Sequence, residues 1–164
     1  MNRKIFVHVD LNGTPHKAGI LWARERGGRQ SATFEYAPEW LESPFRFALE
    51  PALALGPGPH HTAQDAALFG ALSDSAPDRW GRMLMRRAER RPGAAGGQPA
   101  RTLLEIDYLL RVHDISRLGA LRFAEDEKGP FLAEGGKDTV PPLVALHKLL
   151  SASDHVMAEE DSDE

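Results

Sequence analysis

The chain has 164 residues, 41% of them hydrophobic and 27% charged, with no cysteine. That composition suits one globular domain with its own core, and it excludes a disulfide framework, a thiolate metal site and a cysteine nucleophile. The net charge of −4 argues against a general nucleic-acid binder. The start, MNRKIFVHVDL, has no signal-peptide core, and no stretch of about 20 apolar residues occurs anywhere, so the reading is a cytoplasmic protein without a membrane segment.

In chain order, Ile5, Val7 and Val9 alternate with Phe6, His8 and Asp10, the period of a half-buried strand. Asn12-Gly13 supplies a tight hairpin turn, His16 to Arg24 returns as a second strand, Gly27-Gly28 turns again, and Ser31 to Tyr36 makes a third. Ala37-Pro38-Glu39 opens a short helix, with Pro38 where a missing N–H does no harm, and Ser43-Pro44 ends it. Phe45 to Leu49 reads as an edge strand, and Leu55 to His61, rich in Gly and Pro, as a loop. Asp65 to Leu72 is a short helix. A stronger one begins at Ser75-Ala76-Pro77-Asp78, with Ser75 as the capping residue. Along it Trp80, Leu84 and Ala88 recur every four residues as the core face, while Arg79, Arg82, Arg86 and Arg90 form a stripe facing out.

Pro92 to Arg101 is a linker of Pro, Gly and Ala. Thr102 to Glu105 reads as a second capping box, opening a helix whose Leu103, Ile106, Leu109 and Leu110 share a face. Leu118 to Phe123, a turn at Asp126 to Gly129, and Pro130 to Ala133 form a closing hairpin. Leu143, Leu146, Leu149 and Leu150 mark a last helix over 142–155. Strands, helices, hairpin and helix in that order imply an α+β fold, a mainly antiparallel sheet with helices packed on one side. The domain spans 1–156.

Charge is unevenly placed. Residues 76–101 carry seven arginines against Asp78 and Glu89, a net +5, which leaves −9 for the rest of a chain whose total is −4. Five of those negative charges fall in the last six residues, so 157–164 reads as a disordered acidic tail.

The search for chemistry returns no catalytic residue, no cofactor site and no metal site. The seven histidines form no pair at helical i, i+4 spacing, and only His60-His61 lie close together. No G-x-S-x-G elbow is present. The glycine-rich stretch 93–101 follows a helix and not a strand, so it is a spacer and not a phosphate cradle. His113-Asp114 could open a kinase catalytic loop, but such a loop needs a magnesium-binding asparagine shortly after, and the chain's asparagines are Asn2 and Asn12.

Two segments carry a resemblance. Residues 71–82, ALSDSAPDRWGR, and 104–123, LEIDYLLRVHDISRLGALRF, with Gly19-Ile-Leu and Phe34 to Leu41 among the early strands, resemble the N-terminal subdomain of the HipA family of toxin serine/threonine kinases. The likeness runs over about residues 4–156. It implies a HipA N-terminal subdomain-like fold without the kinase body, since the family's ATP loop and catalytic Asp and Asn have no counterpart position here. In the resembling segments Trp80 reads as core, and Gly119 as the residue that lets the chain turn into a strand at 120–125. Asp107, Tyr108, Asp114, Arg117 and Arg122 read as a polar network joining the second long helix to the hairpin.

The resemblance implies a non-enzymatic lobe that binds a HipA-type kinase body, a HipB-like antitoxin, or both. Leu146 and Leu150 of the last helix, with Arg82, Arg86 and Arg90, are the candidate docking residues. Two other readings stand beside it. One is a truncated, inactive kinase remnant. The other is a nucleic-acid module using the arginine stripe, which no interleaved aromatic residues support, so direct nucleic-acid binding is not expected.

Overall fold

The computed structural model describes residues 2–90, 101–114 and 117–132. Three long antiparallel strands come first, β1 (Asn2–Leu11), β2 (Thr14–Arg26) and β3 (Arg29–Tyr36). Asn12 and Gly13, at φ 55° and 82°, make the first turn, since both positions of this tight hairpin need positive φ. Helix α1 (Pro38–Glu42) follows, then β4 (Pro59–His61), α2 (Gly70–Ser73), α3 (Arg79–Arg90), α4 (Glu105–Leu110) and β5 (Leu121–Ala124). The sheet has the order β4-β3-β2-β1-β5, with every neighbour antiparallel.

Register puts one apolar face together. Ile5 lies opposite Leu21, Leu21 opposite Phe34, Ala23 opposite Ala32, and Val7 opposite Phe123. All seven are buried, in one cluster with Trp40 of α1, Leu72 of α2, and Ile106, Leu109 and Leu110 of α4. The sheet and helices α1, α2 and α4 of this α+β fold therefore share one core. Between Val7 and His8 the register shifts, leaving Ala18 as the extra residue of a bulge on β2. Its carbonyl accepts the Ala37 N–H at 2.9 Å, which fixes where the chain leaves β3 for α1. Next to the bulge, a Cβ on Gly19 would sit 2.3 Å from the Glu35 carbonyl oxygen and 2.5 Å from the Phe34 ring. Only glycine lets that ring cross the strand.

The structure corrects several sequence expectations. Phe45 to Leu49 forms no strand, because side chains take its backbone groups. Trp40 Nε1 donates to the Phe47 carbonyl at 3.2 Å, and the Leu49 N–H donates to the Tyr36 hydroxyl at 3.0 Å. The edge position belongs instead to Pro59–His61, expected to be loop, which pairs with Thr33 to Glu35. Proline is tolerated there as the first residue of an edge strand. The helix expected over Asp65 to Leu72 shrinks to Gly70–Ser73. Leu68 and Phe69 are both buried as neighbours, with Phe69 extended, and the Glu50 carboxylate accepts the Ala71 N–H at 2.6 Å at the helix start.

The caps also move. Helix α3 starts three residues late, on Asp78, whose carboxylate accepts the Gly81 N–H at 2.8 Å, and Ser75 is buried ahead of it. Helix α4 is not capped by Thr102. The Asp107 carboxylate accepts the Leu104 N–H at 2.9 Å, and Gln30, reaching across from β3, accepts the Glu105 N–H at 2.7 Å. The closing strand begins at Leu121 and not at Leu118, and the chain returns beside it through the Leu132 N–H bonded to the Phe123 carbonyl at 2.8 Å. The linker 92–100, the helix over 142–155 and the acidic segment 157–164 lie outside the described residues.

Candidate functional site

Helix α3 is amphipathic, but its buried face is not the expected one. Trp80, assigned to the core from sequence, is 39% exposed, and Met85 is the helix's buried residue. The inward side runs Arg82, Met85, Glu89, one residue per turn. Met85 joins Leu103 and Tyr108 in a cluster of three, with Val112 against it. So small an apolar contact leaves charge to orient the helix.

Arg82, counted in the outward stripe from sequence, turns in. Its Nε donates to the Pro77 carbonyl at 3.0 Å, its Nη1 to Glu105 at 2.7 Å, and its guanidinium lies over the Tyr108 ring at 4.8 Å. The hydrogen bond to Glu105 holds its pKa above the ordinary arginine value. Glu89, whose side chain is 13% exposed, pairs with Arg111 at 2.8 Å and lies 3.7 Å from Arg101 Nε.

Asp107, only 1% exposed, is the centre of the next set. Arg101 donates to both of its oxygens, at 3.1 and 3.0 Å, and Arg3 of β1 to one at 3.0 Å, while its backbone bond to Leu104 starts α4. One carboxylate thus ties β1, the segment before α4 and the helix N-terminus.

Asp114, Arg117, Gly119 and Arg122 occupy the other end of α4. Arg122 bridges Asp10 at 3.4 Å and Asp114 at 3.2 Å, joining β5, β1 and the turn after α4. Arg117 is buried and donates to the carbonyls of Ser75, Leu109 and Val112 at 2.9–3.1 Å, with its guanidinium 4.5 Å from the centre of the Phe123 ring. Burial lowers its pKa to about 10, with Asp114 acting against that shift. It closes the free carbonyls at the α4 C-terminus as a cation does best. Gly119 has φ +83°. Asp107 and Tyr108 therefore belong to a first polar set and Asp114, Arg117 and Arg122 to a second, at opposite ends of one short helix.

Two concavities flank these sets. An open groove of about 410 Å³ lies where β1 ends and β5 begins, lined by Val9, Phe47, Leu49, Leu118 and Leu121 among others. Leu118 in it is 78% exposed and Phe47 44%. Sequence reading did not single out either residue; the signal available was two bulky apolar residues in segments rich in turn formers. A second cleft of about 180 Å³ lies between α3 and residues 101–108. Of the residues expected to dock a partner, Arg86 and Arg90 are exposed, Arg82 is engaged internally, and Leu146 and Leu150 lie outside the described residues.

The His60-His61 pair is divided by its strand. His61 Nδ1 lies 3.1 Å from the Thr33 hydroxyl and the His60 ring sits edge-on to Tyr36. Among the described residues no group of three or more His, Asp or Glu could hold a metal ion, and no helix is long and apolar enough to cross a membrane.

Comparison with known families finds a match to the model described as HipA N-terminal domain, over residues 7–106, from β1 into α4. No curated protein and no solved structure matches the chain.

Proposed function

The chain belongs to the HipA N-terminal domain family, and from that premise we propose that it is a non-catalytic lobe that binds and regulates a HipA-type kinase body, alone or in complex with a HipB-like antitoxin. The observation that carries this reading is the groove at the β1/β5 end of the sheet. A leucine 78% exposed beside a phenylalanine 44% exposed is an apolar patch that a partner would cover, and full burial of each is worth roughly 1.5–3 kcal/mol. A domain described as N-terminal is by that description one part of a larger whole, which makes the remainder of such a kinase the natural occupant. Leu146 and Leu150 supply further apolar anchors in this reading. The exposed arginines of α3 speed encounter with an acidic surface without contributing most of the affinity.

The test is capture of a purified HipA-type kinase body by the full chain and by L118E, F47S and L146A/L150A variants. L118E alters a side chain that the fold leaves open, so its melting temperature should match wild type while capture falls at least roughly tenfold. Undiminished capture by both L118E and L146A/L150A overturns the docking reading. Titration with magnesium ATP that reached micromolar affinity would overturn its non-catalytic half.

A further inference from the structure

We propose that the cleft between α3 and residues 101–108 is a binding site for a phosphoryl group. Arg86 and Arg90, one turn apart on α3, form one wall with Glu89 between them, and Arg101, Thr102, Leu103 and Tyr108 form the other. Its volume of about 180 Å³ accommodates a tetrahedral oxyanion.

The charge is what an anion requires. The lining carries Arg86, Arg90 and Arg101 against Glu89, and ion pairs and a ring contact tie Arg3, Arg82 and Arg111, with the carboxylates Glu105 and Asp107, to the lining residues. Those three carboxylates are all engaged: Glu105 by Arg82, Glu89 by Arg111, and Asp107 by Arg101 and Arg3. Among the described residues Arg86 and Arg90 pair with no carboxylate, so the excess positive charge falls on them. Two exposed guanidinium groups at i, i+4 spacing present planar forks of donors to one anion. Thr102 and Tyr108 complete the lining.

The rest of the lining selects among anions. Two uncompensated cations match a dianion better than a single carboxylate, and the guanidinium fork matches phosphate oxygens in pairs. The aromatic residue in the cleft, Tyr108, is only 5% exposed and already has Arg82 over its ring. It offers no open face on which a nucleobase could stack, so recognition is of the phosphoryl group itself. That group can come from a free phosphate compound or from a phosphorylated side chain of another protein.

The experiment is an NMR titration of the full chain at constant ionic strength with three probes: inorganic phosphate, a phosphoserine peptide, and the same peptide with aspartate in its place. Saturable shifts at residues 86, 90 and 101–103 are expected with phosphate. R86Q/R90Q should weaken binding at least roughly tenfold, while R26Q/R79Q, which removes the same charge from exposed sites outside the cleft, should leave it within about twofold. A phosphopeptide that binds more tightly than phosphate assigns the site to a modified side chain, and one that binds no tighter assigns it to a free phosphoryl compound. Equal loss in both double variants, absence of saturation, or an aspartate peptide as tight as the phosphopeptide overturns the proposal. The measurement uses the isolated protein, so it stands apart from capture of a kinase body.

Discussion

On one side of α4, Ile106, Leu109 and Leu110 share a core with Ile5, Val7, Leu21, Phe34 and Phe123 of the sheet. On its other side Glu105 and Tyr108 meet Arg82, while Asp107 gathers Arg101 and Arg3. The first contact is non-directional and tolerates small rearrangements, because burial scales with area. The second is directional: Asp107 holds several donors at once, and Glu105 holds Arg82. A short helix is thereby fixed in position twice, by area toward the sheet and by geometry toward α3. Arg86 and Arg90 stay open because the carboxylates near them are already engaged.

The largest expected effect is on the apolar side. Phe34 is fully buried, its ring 5.0 Å from that of Tyr36 and filling the space over Gly19. Phe34→Ala should cost about 3–5 kcal/mol in a denaturant melt, with little dependence on salt. A loss under about 1 kcal/mol would mean that the sheet core collapses around the gap, and the contrast with α3 would weaken.

Next comes the polar side. Asp107→Ala removes an acceptor of three guanidinium hydrogen bonds and the backbone bond that starts α4, and leaves two arginines partly uncompensated. A loss of about 3 kcal/mol is expected, since breaking a buried pair strands its partner. Asp107→Ala combined with Arg101→Ala should be less destabilising than the sum of the two single changes. Asp107→Ala combined with Phe34→Ala should be near additive, because the two sites share no partner. Coupling in the second pair would show that the two sides of α4 act as one unit.

The same contrast governs what the sequence disclosed. The alternation of Ile5, Val7 and Val9, the Asn12-Gly13 and Gly27-Gly28 turns and the apolar face of 103–110 all announce burial, and the three-stranded meander follows from them. Edges and caps were hidden, because distant side chains decide them. Nothing near Phe45 says that Trp40 and Tyr36 will take its backbone groups, and nothing near Thr102 says that Gln30 of β3 will serve the α4 N-terminus. For α3, spacing alone pointed to Trp80, Leu84 and Ala88. The helix is too poor in apolar residues for that pattern to govern, and the carboxylates of Glu105 and Asp107 lie 15 residues or more along the chain. The groove residues Leu118 and Phe47 belong to irregular segments, where no periodicity marks a face.

The smallest effect separates the two sheet faces by pH. His8 lies on the face of β1 away from the core, opposite Lys17 of β2 and Arg122 of β5, with Phe131 edge-on at 5.3 Å and Glu127 at the far side of Lys17. Its Nδ1 is buried without a partner among the described residues. Burial lowers its pKa below the usual 6.5, and Lys17 lowers it further, against weaker opposition from the Phe6 backbone and Glu127. The folded protein therefore binds fewer protons at His8 than the unfolded chain between the depressed value and 6.5. Stability from this group is fully present above pH 6.5 and is lost as pH falls through the folded-state pKa. Melts across that interval should show a decline that His8→Gln reduces, while Phe34→Ala shifts the whole curve down without changing its slope there. A wild-type slope that survives His8→Gln intact would move the titrating group elsewhere.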